Sequence, residues 1–303
     1  MNYTLNQLQI YLKVVQTMSI TKAAEELNLT QPAVSIQIKN FQAQFEIPLI
    51  EIIGKKIYVT DFGAEIAKSA EGIIDQVYAI NYKTMAFKDQ LLGRLKVSVV
   101  STGKYVLPYF LTDFLNHNQG VEISIDVTNR EKVFHSLENN EVDFSLISTD
   151  INSPLYDHID ILENELYLVG NPVTASLNPK FAFQEFNKEL PLIFRENGSG
   201  TRKIMETYLK KQGIHSLKKL ELMSNEAVKQ AVMAGLGYSI MPMIGIKNEL
   251  KNGQLAIINR SGLPIVTTWK LIWHKEKNPS PVAKAFMAHI IEKKEEIKKK
   301  HFE

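Results

Sequence analysis

Residues 19–45, SITKAAEELNLTQPAVSIQIKNFQAQF, leave a chain of this kind few folds to choose from. They read as two short helices joined by a tight turn. Ala23, Ala24 and Leu27 share one face of the first helix. Asn28 breaks it, because Asn tolerates the left-handed conformation that a turn requires. Thr30 is placed to cap the second helix, with Pro32 in its first turn, where a missing N–H costs nothing. Val34, Ile38, Phe41 and Phe45 recur at helical spacing and face inward. The opposite face carries Gln31, Ser35, Gln37, Lys39 and Asn40, and from Gln31 onward no acid occurs before Glu46. Gln or Asn can bond an adenine edge bidentately, while Ser and Lys reach phosphates or guanine. The pattern is that of a helix-turn-helix whose second helix enters a major groove. A pair of amphipathic helices around a turn also occurs in ordinary helical cores, so geometry alone does not decide the matter.

Flanking segments complete a small domain. Residues 5–17 form a helix with Leu5, Leu8, Leu12 and Val15 on one stripe. After Phe45 come Ile50, Ile52 and Ile53, then Ile57, Tyr58 and Val59, around Gly54-Lys55-Lys56. This is the pattern of a hairpin, or wing, whose tip lysines Lys55 and Lys56 can meet phosphates. Residues 1–62 balance Lys13, Lys22, Lys39, Lys55 and Lys56 against Glu25, Glu26, Glu46, Glu51 and Asp61. Affinity for a polyanion must therefore come from placement and from more than one copy.

The stretch LNQLQIYLKVVQTMSITKAAEELNLTQPAVSIQIKNFQAQFEIPLIE, followed by TDFG, resembles the N-terminal domain of LysR-type transcriptional regulators. That family usually carries an aromatic and a basic residue where this chain has Ile50 and Ile52, so one phosphate contact is absent. The resemblance runs on over the whole chain. It implies an α/β protein with an N-terminal winged helix-turn-helix, a long linker helix and two α/β subdomains of periplasmic-binding-protein type. The expected boundaries are 1–62 for the DNA-binding domain, 63–92 for the linker and 93–303 for the effector-binding domain. Within the last, subdomain I takes 93–164 and 268–303, and subdomain II takes 165–267.

From Ala64 to Leu92 a long helix is expected, ended by Gly93. Ala70, Val77 and Leu91 fall in one heptad position and Ile66, Ile73, Ile80 and Phe87 in the other, with Thr84 the polar intruder. Such a stripe is a helix–helix seam. A dimer built on it would present two recognition helices to an inverted repeat. The resemblance also implies a homodimer or homotetramer and contact with RNA polymerase.

Beyond Gly93, strands and helices alternate: strand 95–100, helix 104–117, strand 121–127, helix 131–139, strand 142–147. A second unit follows with strands 162–169, 190–194 and 217–223, helices 202–212 and 226–234, a turn and strand in 235–242, strand 266–274 and helix 281–299. This alternation implies a parallel sheet covered by helices. The resemblance places two crossover strands near 162–168 and 264–270.

In such sheets a ligand sits beyond the carboxyl ends of strands, near helix N-termini. Ser101, Thr102 and Gly103 follow the first strand, and Ser148 and Thr149 the third. Gly198, Ser199, Gly200, Thr201 and Arg202 open a helix, and Ser224 and Asn225 follow a later strand. Glycine, Ser and Thr are common in turns and caps, but several such segments at equivalent strand ends describe a hydroxyl-rich pocket for a small anion. GSGT lacks the GxxxxGK[ST] spacing of a P-loop. The GSGTR form resembles the subgroup regulating carbon fixation and sulfur assimilation, which implies a carboxylate, phosphate or sulfur oxyanion as effector.

Composition narrows the rest. The 303 residues are 45% hydrophobic and 22% charged with a net charge of +2, ordinary for a globular protein of two or three domains. No cysteine is present, which excludes disulfides and thiolate catalysis. His117, His135, His158, His215, His274, His289 and His301 are scattered, so no metal or other cofactor is expected. There is no apolar run of membrane-spanning length and no signal region, so the chain is expected in the cytoplasm. An enzyme on the same scaffold lacks a nucleophile–base pair: Ser199 has no histidine at a telling position. A pure ligand-binding module would have no use for residues 1–92.

Overall fold

The structure, a computed structural model, describes residues 3–54, 56–86, 91–151, 153–177, 190–214 and 218–303. The chain packs as two units, Met1–Gln90 and Leu91–Glu303.

In the first unit, three helices α1 (Leu5–Thr17), α2 (Ile20–Glu26) and α3 (Gln31–Gln42) start on side-chain caps from Thr4, Ser19 and Thr30. Thr4 and Gln7 form a reciprocal capping box. Asn28 turns the chain with φ 54°, the left-handed conformation expected of it. A two-strand wing, β1 (Ile50–Ile53) and β2 (Lys56–Val59), pairs Ile53 with Lys56, with Gly54 in the turn between them. Lys55 itself lies outside the described residues. Leu8, Tyr11 and Val14 pack on Ala23, Ala24, Val34, Ile38 and Phe41, with Leu49 and Ile57 from the wing side.

Helix α4 (Asp61–Ala86) closes this core with Ala67, Ala70 and Ile74. Its entry is tight. The Tyr11 hydroxyl donates to the Gly63 carbonyl at 2.8 Å, and a Cβ on Gly63 would lie 2.0 Å from the Leu49 carbonyl oxygen. Only glycine fits there.

The linker expectation needs correction. Leu92 and Gly93 belong to strand β3 (Leu92–Val100), where they pair with Gly120 and Val121, so Gly93 does not end the helix. Leu91 packs against the core of the second unit instead of extending the heptad stripe. Phe87 lies outside the described residues. Of the remaining stripe, Ala70 is buried against the three-helix core, while Ile73 and Ile80 are exposed.

The second unit is built on a sheet ordered β10 (Ala256–Ile257), β6 (Tyr156–Gly170), β11 (Ile265–His274), β5 (Phe144–Ile147), β3 and β4 (Gly120–Thr128), with β9 (Ser239–Pro242) also on β6. Strand β3 runs parallel to β4 (Gly120–Thr128) and to β5 (Phe144–Ile147). A 3-10 turn and α5 (Leu107–His117) link β3 to β4, and α6 (Arg130–Glu138) links β4 to β5. The last helix, α11 (Pro281–His301), packs with α5 on this sheet through Phe286, Phe114, Phe110 and Trp269.

Strands β6 (Tyr156–Gly170) and β11 (Ile265–His274) are the long members, paired antiparallel along their length. β6 begins at Tyr156, earlier than the 162 expected; its first half reads as polar because its face alternates. Along β6 the core changes identity. Ile161 and Leu162 belong to the core of β3 and α11, whereas Leu166 and Leu168 belong to one with Phe194, Tyr208 and Tyr238. Across β11 the same change falls between Trp269 and Ile265. Between them the buried Asn164 amide donates to Thr267 Oγ1 at 3.0 Å. Beyond it stand β7 (Leu192–Arg195), α8 (Gly200–Lys211), β8 (Lys219–Leu222), α9 (Asn225–Met233) and β9 (Ser239–Pro242). A short helix α7 (Pro172–Leu177), helix α10 (Lys247–Lys251) and strand β10 (Ala256–Ile257), not anticipated from sequence, complete this second subdomain.

Candidate functional site

Helix α3 buries Val34, Ile38 and Phe41 and turns its other face outward. Gln31, Pro32, Lys39 and Asn40 are exposed, and Ser35 and Gln37 are partly exposed. Thr30 spends its hydroxyl on the Ala33 N–H at 3.4 Å, so its place here is to start the helix. Ile36, absent from the sequence reading, is exposed on the same outward face. Lys56 is exposed at the start of β2.

The second unit holds a cleft at the strand ends. It is lined by Ser101 and Thr102 after β3, Asn129 and Arg130 after β4, and Ser148 and Thr149 after β5. From the other subdomain come Arg195 at the end of β7, Ser199, Gly200 and Thr201 at the start of α8, and Asn225 at the start of α9. Ser199 is the N-cap residue of α8 by position, yet its hydroxyl caps no backbone N–H and is buried with the cleft wall. The first N–H groups of α8 thus meet the cleft, where a helix N-terminus favours negative charge.

Two guanidinium groups stand in this region, and among the described residues only Arg195 is paired with a carboxylate. The Arg130 Nε–H donates to Thr149 Oγ1 at 2.9 Å. Its guanidinium lies 4.5 Å from the Phe134 ring centroid. Burial lowers its pKa from the ordinary value, and an arginine remains charged through such a shift. Arg195 is buried and clamps Glu196 through two bonds of 2.7 and 2.8 Å.

The cleft is shut. It encloses about 10 Å³, room for about one water. The Asn225 amide donates to Ser101 Oγ at 3.2 Å across it, and the Glu131 N–H donates to the Gly198 carbonyl at 3.2 Å. A Cβ on Gly200 would come within 2.8 Å of the Thr149 methyl, so glycine is what lets the two walls approach.

Four residues expected in the pocket stand elsewhere. Arg202 does not line it: its guanidinium is held by Glu221 at 2.5 Å, Glu206 at 2.9 Å and the Arg195 carbonyl at 3.0 Å. It faces a wider groove outside the cleft, of about 640 Å³, which Gly198 also borders. Gly103 is buried behind Thr102, and Ser224 caps α9 by accepting from the Ala227 N–H. The cleft's own cations, Arg130 and Arg195, escaped the sequence reading. Arg130 follows the second parallel strand, so the strand-end rule applied to β4 as well as to β3 and β5 finds it. Arg195 directly follows the strand expected over 190–194, so the same rule reaches it.

Residues 5–64 match the family model for bacterial regulatory helix-turn-helix proteins of the lysR family, and residues 88–295 match the LysR substrate binding domain. The chain is a member of the LysR family of transcriptional regulators. It binds DNA through its helix-turn-helix and carries an effector-binding domain. Among its relatives, the HTH-type transcriptional activator CmpR of Synechocystis sp. is 34% identical and aligns over 95% of each chain. The RuBisCO operon transcriptional regulator of Acidithiobacillus ferrooxidans is also 34% identical, over 95% of this chain and 93% of its own. These relatives are named as regulators, not enzymes. The regulatory domain of Synechocystis CcmR in complex with 2-PG is 29% identical, covers 66% of this regulator and 96% of that chain, and superposes with a TM-score of 0.60. Full-length CbnR bound to its target DNA, 19% identical, shares the fold with a TM-score of 0.68 over 95% of this chain and 99% of its own. Among the described residues no helix is long and apolar enough to cross a membrane, and no group of His, Cys, Asp or Glu could hold a metal ion.

Proposed function

We propose that this regulator reads promoter DNA with Gln31, Ser35, Gln37, Lys39 and Asn40 of α3, and that Lys56 and Lys55 of the wing meet phosphates. A small anion bound in the cleft between the two regulatory subdomains controls it. The observation that carries the second part is the convergence of Arg130, Arg195, the α8 N-terminus and the hydroxyls of Thr102, Ser148, Thr149, Ser199 and Thr201 on one closed cleft. Such a donor set suits a phosphate or carboxylate. The complex of a 29% identical regulatory domain with 2-PG supports the same class of ligand.

The subdomain boundaries fall near 164 and 268, at the Asn164–Thr267 pair where the two cores meet. Residues 63–90 serve as linker, and the exposed Ile73 and Ile80 of α4 support a homodimer, with a homotetramer as its doubled form. DNA and RNA polymerase as partners place the protein in the cytoplasm. A ligand acts here only through its differential affinity for two arrangements of the subdomains.

The test is thermal shift of the full chain with 2-PG and with inorganic phosphate. A saturable rise in the regulatory transition, lost in Arg130→Met, is the expected result. No rise with either anion, or an unchanged rise in Arg130→Met, would remove the anion assignment.

A further inference from the structure

We propose that Ile36 is a specificity-determining residue that packs on the C5-methyl group of a thymine in each half-site. The proposal rests on the DNA-reading role of α3 given above and adds a base identity to it.

Three observations point the same way. The first is position. Ile36 lies two residues from both Val34 and Ile38, which at 3.6 residues per turn sets it on the far side from the buried stripe. One turn away on either side stand Pro32 and Asn40, both exposed. Ile36 therefore occupies the centre of the outward face, while Ser35 and Gln37 flank it.

The second is exposure. Ile36 is 57% exposed, with the residues around it polar apart from Pro32 and Ala33. On a capped, solvent-facing helix, a β-branched residue gives poorer local stability than Lys, Arg or Gln. A lone exposed apolar side chain is common on protein surfaces and by itself means little. Here it stands at the middle of the surface that meets base edges.

The third is the chemistry of the groove. The major-groove edge of a base pair is read mainly through donors and acceptors, and the thymine C5-methyl is its one alkyl group. Isoleucine can offer no hydrogen bond. Opposite a cytosine amino group or a guanine carbonyl it would strip water from a polar atom and return nothing. Opposite a thymine methyl it removes apolar surface from water on both sides. Ile36 thus favours thymine and disfavours the alternatives at the same position.

The magnitude follows from the group buried. One methyl contributes about 0.8 kcal/mol, or about fourfold in affinity, and a dimer on two half-sites about fifteenfold.

The experiment uses the full-length protein and a duplex enriched by it from a random-sequence pool. Each thymine is replaced in turn by deoxyuridine, which deletes the C5-methyl alone, and affinity is read by fluorescence anisotropy. The native protein should lose about fourfold at one position per half-site, whereas I36A should bind the thymine and deoxyuridine duplexes alike there. Non-specific affinity and its salt dependence should be the same for both proteins, because no phosphate contact is removed. A deoxyuridine scan flat to within about twofold, or an I36A protein that keeps the native pattern of losses, would overturn the proposal. Gln37→Ala run alongside separates two failures. If it changes base preference while the scan is flat, α3 reads DNA and only the role of Ile36 falls; if it too changes nothing, the assignment of α3 as the reader falls with it.

Discussion

The two ends of this regulator do opposite things with their polar groups. Helix α3 holds its backbone on a packed core of Val34, Ile38 and Phe41 and leaves its glutamines, Ser35 and Asn40 accessible. The regulatory cleft buries its hydroxyls and guanidinium groups and lets them bond to one another. A reader of DNA is ready before its partner arrives, and most of its gain is kept. The cleft must exchange internal hydrogen bonds for those of a ligand, so only the difference appears as affinity. That difference is what a switch needs, because it couples binding to an opening of the walls.

The largest expected effect separates the two units. Phe41→Ala should cost about 3–5 kcal/mol in the core of the three-helix unit. Calorimetry should show the regulatory transition in place while the DNA-binding transition is lost, and a joint collapse would show the two units to be one cooperative body.

Next comes the cleft. Thr201→Val and Thr102→Val each remove a donor from a bound anion, worth about 1.5–3 kcal/mol where the acceptor is charged. Titration with 2-PG should show affinity down by about tenfold or more, with DNA binding in the absence of ligand unchanged. An undiminished response in both variants would make the cleft wall irrelevant to the effector.

On the reading side, Gln37→Ala should weaken binding to the selected duplex by about 1–3 kcal/mol and leave non-specific binding almost as it was. Equal losses on both duplexes, measured by anisotropy, would mean that Gln37 touches only backbone.

The smallest effect is in pH. Burial is the main cause that holds the His289 imidazole below its ordinary value of 6.5, against the opposing pull of Asp113 and Glu292. The folded state therefore favours the neutral ring. Its contribution is full above the ordinary value and is lost as pH falls below it toward the folded value. Residues 1–90 contain no histidine. Between pH 7 and about 5.5 the urea midpoint of the regulatory unit should fall while that of the DNA-binding unit holds, and His289→Gln should flatten the difference.

How much of this was readable in the residues follows the same contrast. The helix-turn-helix is a local affair: a cap at Thr30, a left-handed Asn28 and an apolar stripe all lie within one stretch, and each appears where expected. Ile36 carries no hydrogen-bonding group, so the polar pattern of the outward face does not mark it. The cleft is assembled from chain segments more than a hundred residues apart. Hydroxyls at strand ends marked part of it, but Arg195 enters by being the last residue of a strand whose neighbours are set by tertiary packing. Arg202 looked like the charge for the site and is claimed instead by Glu206, its i+4 neighbour on the helix, and by Glu221, which no short-range pattern ties to it. Gly93 misled for a related reason. Glycine commonly follows a helix, but here the pairing of β3 with β4 takes it into a strand.

The bond from Asn225 to Ser101 has a consequence for physiology. A receptor latched by its own side chains answers only when the metabolite is abundant enough to outbid the latch, so apparent affinity scales with the fraction of molecules standing open. Loosening that single bond would move the dose at which the genes respond.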